Sequence, residues 1–272
     1  MVPEVMITEE KLRESFGLAQ GSEIHLPLGC TLTPAALQLL AERQIRVRYI
    51  DEQGCLYNPG GEGRAPERIH PLTGKTRDEE EENPSIRKSG DESGEALTHL
   101  DARTLVGKNH PRIALRGKID TLIALTVLAQ TDFDLDNRFP WLHPYLADIR
   151  SAIGTLLRAE VTGEEIAPVC LGGMSAETLH AVSHNPHKYL GHDHLLPEKS
   201  LGRNVAILNA LRALAREVEI EIVRTFTGPD HLISRPDLLK AANRLSSALY
   251  VLMILTALAE QGIRVDLEHI VR

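Results

Sequence analysis

"RPDLLKAANRLSSALYVLMILTALAEQG", residues 235–262, carries Asn243, Arg244, Ser246 and Ser247 through its first half and is then apolar nearly all round from Leu245 to Ala259. A helix with no polar face has nowhere to meet water, so this stretch predicts the centre of a helical bundle or a subunit contact. The run from Ala248 to Ala259 falls short of the ~20 apolar residues a membrane span needs. Polar groups at such depth need partners, either on a neighbouring helix or on a ligand.

Working outward, helical patterns precede it near 112–131, 141–162, 175–188 and 201–227. In the last of these Ile207, Leu211, Leu214, Val218 and Ile222 repeat at helical spacing, which leaves Arg212, Arg216 and Glu219 together on a neighbouring face. The fold class that follows is mainly α, a bundle of about five helices over residues 97–272. Residues 1–57 read differently, as a small α/β module. Thr33 before Pro34 is an N-cap with proline at the first helical position, and Ile45, Val47 and Tyr49 alternate as a strand does. Between them, 58–96 is rich in Gly, Pro and charge, includes RDEEEEN at 77–83 and shows no apolar periodicity, so it reads as an acidic flexible linker.

The formal net charge of −8 argues against a general nucleic-acid binder, which needs excess Lys and Arg to displace counterions. The 3 cysteines, Cys30, Cys55 and Cys170, are odd in number and lack CxxC spacing, which suits a reducing cytoplasm and no disulfide framework. The start lacks the basic-then-apolar layout of a signal peptide, so a soluble, non-exported bacterial protein is expected.

Three features carry chemistry. Between Arg103 and Ile119, RTLVGKNHPRIALRGKI holds basic residues and no acid, and it reads either as a phosphate clamp using Lys108 and Arg112 or as a solvated helix start. Asp120 follows within an apolar stretch, either buried with an arginine partner or on a solvent face. HAVSHNPHKYLGHDHLLP (180–197) places histidines at 180, 184, 187, 192 and 194; only His180 and His184 share a helix face, and the spacing matches no zinc pattern. A polar wall around a large ligand, a structural role and a metal site are the three readings of that stretch.

KNHPRIALRGKID (108–120), LRALAREVE (211–219) and NRLSSALYVL (243–252), in this order, resemble the cobalamin adenosyltransferases. GSEIHLPLGCTLTPAALQLLAERQIRVRYID (21–51), LTHLDARTLVGKNHPRI, ADIRSAIGTLLRAEV and YLGHDHLLPEKSLGR are similar to the ethanolamine-utilisation branch of that family. The resemblance implies transfer of the 5′-deoxyadenosyl group of ATP to the cobalt of a corrinoid, giving adenosylcobalamin. It implies Arg212, Arg216 and Asp120 as catalytic residues, with Asp120 pairing Arg212 across a subunit boundary. Thr98, Lys108, Arg112, Arg216, Glu219 and Asn243 would bind ATP, which brings Mg²⁺, and His192, His194 and Leu195 would face the corrinoid. The family's usual phosphate loop is missing, and Ser247 stands where the wider family has Asp.

Members of that branch carry a His and a Cys-Cys-x-x-Cys cluster in the linker; here His70 remains, but Glu82, Asn83 and Ile86 replace thiolates, so no Cys-based zinc or iron site is expected. Implied partners are a flavoprotein reductase, ethanolamine ammonia-lyase, microcompartment proteins and further copies of the chain, a trimer being favoured. The alternatives are a non-catalytic corrinoid-delivery protein of the same fold and, on the histidines alone, a metal-dependent hydrolase.

Overall fold

The computed structural model describes residues 5–60, 65–71, 74, 76, 92–101, 104–136, 138–265 and 270. The N-terminal unit contains β1 (Met6–Ile7), α1 (Glu9–Ser15), β2 (Glu23–Pro27), β3 (Thr31–Leu32), α2 (Pro34–Glu42), β4 (Arg46–Ile50), β5 (Leu56–Asn58) and β6 (Glu67–Ile69). β2 and β4 run parallel and β4, β5 and β6 antiparallel in one sheet of order β2-β4-β5-β6, while β1 and β3 pair separately. Thr33 caps α2 as its sequence predicts, accepting from the Ala36 N–H at 3.3 Å. Leu12, Leu26, Ala36 and Leu40 form this unit's own core.

The reading of a linker beginning at residue 58 needs correction. β6 pairs with β5 and buries Ile69, so the sheet continues beyond the boundary drawn from composition. A three-residue strand with one buried apolar side chain is too short to register as alternation. The acidic run at 77–83 lies outside the described residues.

A short helix α3 (Glu92–Glu95) and the hairpin β7 (Leu97–His99) and β8 (Leu105–Gly107) lead into the bundle. Its long helices are α4 (Pro111–Asp136), α5 (His143–Thr162), α8 (Gly202–Phe226) and α9 (Pro236–Glu260), with α6 (Ala176–His184) and α7 (Pro186–Leu190) between α5 and α8. The expected helix at 175–188 is therefore two. Pro186 supplies no N–H and forces Asn185 to φ −139°, ψ 62°, and the Asn185 side chain then caps α7. α9 packs against α8, α5 and α6, and from Leu245 to Ala259 all but Tyr250 is buried. By length and composition α9 could cross a bilayer, but 83% of its most apolar window is buried inside the protein. The bundle core consumes that apolar surface.

The two units dock through α5. The Asp148 carboxylate accepts from the Ala19 N–H at 3.3 Å and the Gly172 N–H at 2.8 Å. Ser151 Oγ accepts from the Glu23 N–H at 3.0 Å and donates to the Glu23 carbonyl at 2.8 Å. Gly17 crosses this junction so closely that a Cβ there would lie 2.8 Å from the Pro144 carbonyl oxygen and nearer still to the Asp148 carboxylate. Burial pushes the Asp148 carboxyl up to about 7, opposed by its two backbone donors and by Arg43. Beside the junction lies a cleft of about 860 Å³ lined by Arg13, Arg43, Trp141, Tyr145 and Arg264 among others. Trp141 is the chain's single tryptophan.

Candidate functional site

The apolar stripe of α8 is buried at Leu208, Leu211, Ala215, Val218 and Ile222, and this rotation sets Arg212 and Glu219 half-buried and Arg216 exposed on the adjoining face. α9 lies against α8, and its polar first half meets that face. Asn243 Nδ2 donates to Glu219 Oε1 at 3.0 Å, so segments 24 residues apart join at one polar seam. Asn243 Oδ1 accepts from Arg244 Nη1 at 2.7 Å, and the same Nη1 lies 3.1 Å from His180 Nδ1 on α6. Arg212 is held by Asn209, whose Oδ1 accepts from Nε at 3.3 Å and Nη2 at 3.0 Å. Ser246 and Ser247 are buried below the seam.

Asp120 takes the solvent-facing alternative on α4. Its expected pairing with Arg212 is not formed within the chain, where Arg212 turns to Asn209 instead.

The basic segment is largely neutralised. Arg112 and Arg116 both donate through Nε to the fully buried Glu160 of α5. Arg112 Nη2 also donates to the Glu160 carbonyl at 2.6 Å and Arg116 Nη2 to the Leu100 carbonyl at 2.9 Å. Lys118 faces Glu221 at 3.5 Å and Glu217 at 3.7 Å. A carboxylate without solvent demands such partners, because an unpaired buried charge is expensive. Nη1 of Arg112 is the edge of that guanidinium not engaged by Glu160. Lys108 is exposed at the end of the β7–β8 hairpin, and Thr98 is half-buried in β7 opposite Val106. The sequence reading missed Glu160, although a lone acid among apolar residues in LLRAEV (156–161) was a signal.

The histidine stretch divides by hydrogen bonding. Tyr250 on α9 accepts from the Leu195 N–H at 2.8 Å and lies 3.2 Å from His194 Nδ1, with the two rings stacked at 6.3 Å. Its hydroxyl proton is thus available to His194. Leu195 is buried in the bundle core, so the apolar group this segment presents outward is Leu196, 74% exposed. His192 Nδ1 lies 2.6 Å from the Asp193 carbonyl, which can only accept, so Nδ1 carries a proton and Nε2 is left outside this bond. Among the described residues no three His, Cys, Asp or Glu side chains converge as a metal site. Positions 82, 83 and 86, where thiolates are replaced, lie outside the described residues.

The helical bundle thus brings its Arg-x-x-x-Arg-x-x-Glu helix and its Asn-Arg-Leu-Ser helix together at one polar seam, and likeness to known proteins identifies the class. The model of the cobalamin adenosyltransferase family matches residues 86–256. That of the corrinoid adenosyltransferase EutT N-terminal domain matches residues 6–80. The chain belongs to the cobalamin adenosyltransferase family and is a transferase. Within it, the chain is 42% identical over 250 residues to corrinoid adenosyltransferase EutT of Escherichia coli K12, covering 92% of this chain and 91% of that one. It is 41% identical to the EutT of Salmonella typhimurium LT2 over the same shares. A solved variant of the PduO-type ATP:corrinoid adenosyltransferase from Lactobacillus reuteri, complexed with cobalamin and ATP, is similar at 16% identity and TM-score 0.48, covering 63% of this chain and 94% of that one.

Proposed function

We propose that the chain transfers the 5′-deoxyadenosyl group of ATP to the cobalt of a reduced corrinoid, forming adenosylcobalamin for ethanolamine utilisation. The observation that carries this reading is the Asn243–Glu219 hydrogen bond, which brings both family motifs to one seam. Cob(I)alamin is itself a strong nucleophile at the 5′ carbon, so the protein has no proton to abstract. Its work is to hold the two substrates in line and to stabilise the departing polyphosphate.

Asn243 and Glu219, already ordered against each other, present an amide and a carboxylate to the nucleoside. Arg216, exposed and without an ion-pair partner among the described residues, supplies charge to the phosphates together with Lys108. Arg112, pinned by Glu160, offers them its remaining Nη1, and Thr98 lies on the hairpin beside them. Mg²⁺ carried by the nucleotide would offset the charge of the departing polyphosphate.

Asp120 and Arg216 both look outward, and Leu125, Val127 and Leu128 of α4 are exposed apolar residues on the helix that carries Asp120. These features support a homo-oligomer, a trimer by family analogy, in which Asp120 reaches Arg212 of a second copy. The corrinoid lies against the 192–196 segment, which Tyr250 fixes to α9. His192, with a free Nε2, and the exposed Leu196 are the groups it meets there, beside His194. A flavoprotein reductase, ethanolamine ammonia-lyase and microcompartment proteins are the partners this activity implies in a bacterial cytoplasm.

Anaerobic incubation with reduced cobalamin and ATP tests the reading through the spectral change from Co(I) to the light-sensitive adenosyl product. Arg216→Ala should lower the rate at least ~100-fold with the fold retained, as expected for loss of a charged transition-state contact. An unaffected rate would remove the nucleotide from α8. Corrinoid binding without turnover by the unaltered protein would favour the delivery role.

A further inference from the structure

Arg244 lies between the nucleotide seam and the histidine stretch, and its geometry fixes a protonation state. A guanidinium has no acceptor, so the 3.1 Å approach of Nη1 to His180 Nδ1 requires the ring nitrogen to accept. His180 is then neutral, with its proton on Nε2. The same Nη1 donates to Asn243 Oδ1, the oxygen of the amide whose nitrogen holds Glu219. Arg244 Nε is buried with no partner among the described residues, so these Nη1 bonds are what fix the guanidinium.

His184 lies beside His180, with ring centroids 4.0 Å apart and its Nδ1 3.0 Å from the His180 carbonyl. The other charged groups at this interface are Lys240 of α9 with Glu177 of α6, 3.6 Å apart, and Glu219 of α8 reached through Asn243. The adjoining α7 carries His187 and Lys188, both exposed. Burial, then Arg244, then His184 hold the His180 imidazole below its ordinary value.

We infer that His180 is a positioning residue for nucleotide binding: as a neutral acceptor it aims Arg244, which orients the Asn243 amide towards Glu219 and the nucleoside. The inference rests on the assignment of Asn243 and Glu219 to the nucleotide. Protonation of His180 replaces the accepting lone pair with an N–H pointed at a cation. Arg244 then leaves, and Asn243 Oδ1 loses its donor. Nucleotide affinity therefore falls on acidification through this one side chain. The role follows from α6 and α9 packing side by side, and no metal or wall function of the histidines is needed for it.

The test is the Kd for ATP, measured by calorimetry from about pH 8 to about pH 5 on the full chain and on His180→Gln, His180→Ala, His184→Gln and Asn243→Ala. Comparison between variants cancels the titration of ATP itself. The unaltered protein and His184→Gln should weaken below the pKa of His180 with a slope of at most about tenfold per pH unit, levelling off at the affinity of His180→Ala. His180→Gln offers an acceptor that cannot protonate, so it should bind near normally at pH 8 and lose this acid limb. His180→Ala should bind weakly throughout. An acid limb unchanged in His180→Gln, alongside weakened binding in Asn243→Ala, overturns the inference while leaving the nucleotide site in place. Unchanged binding in Asn243→Ala overturns the site assignment and the inference with it.

Discussion

Asp148→Asn probes the junction between the N-terminal unit and the bundle, and its effect can be worked from the structure. The folded state raises the carboxyl from 3.8 to about 7, chiefly by burial. A raised acid pKa means that the folded form holds the proton more tightly than the unfolded chain. Its contribution to stability is therefore full below about pH 4, is lost as pH rises towards 7, and is constant above that. At about 1.36 kcal/mol per unit the whole span is on the order of 4 kcal/mol, of which roughly 2 kcal/mol falls between pH 5 and pH 7. For a chain of this size that corresponds to a fall in Tm on the order of 5–10 °C.

Trp141 lines the cleft beside the junction and is the only tryptophan, so its fluorescence during thermal unfolding reports on this region. Asparagine cannot titrate, and it leaves one of the Ala19 or Gly172 N–H groups without its acceptor, at a cost of about 1–3 kcal/mol. The variant should be less stable at pH 5 and should lack this share of the pH slope. The difference between the two Tm curves cancels the histidines that titrate in the same range. A difference that stays constant from pH 5 to pH 8, or widens towards high pH, would refute the assignment of a proton to Asp148.

Gly17→Ala places a Cβ against the Pro144 carbonyl and the Asp148 carboxylate, so the backbone must shift. It should destabilise by about 1–3 kcal/mol and move the Trp141 emission while leaving the far-UV helical signal unchanged; unaltered emission and unfolding would show that the junction is not tight. Glu160→Gln takes the counterion from Arg112 and Arg116 and should cost about 3–5 kcal/mol in urea unfolding, and a loss under 1 kcal/mol would mean that these arginines are solvated. Tyr250→Phe frees the Leu195 N–H and His194, so the corrinoid KM should rise several-fold with the ATP KM unchanged. An equal rise in both would show that Tyr250 only supports the bundle.

The amino-acid sequence was sufficient to place α5, α8 and α9 within two residues of their observed ends, and the start of α4 though its end five residues short, because apolar spacing at 3.6 residues is a local property that tertiary packing reinforces. It also showed that α9 must be covered, at the bundle centre or at a subunit contact, since it has no polar face; the packing of the chain chose the centre. Where a boundary rests on one residue, as at β6 or at the Asn185–Pro186 break, the periodic signal is too short to reveal it. The motif residues Arg212, Arg216, Glu219 and Asn243 were legible, but what they touch was not. The Glu219–Asn243 bond, the closure of Arg112 and Arg116 on Glu160, the Arg244–His180 contact and the docking of Gly17 on Asp148 link residues from different elements. Local pattern fixes which face of each helix turns inward; only the packing of the helices, and of the sheet unit on α5, fixes which charged group on one face meets which on the next. That pairing decides which side chains stay free for a ligand.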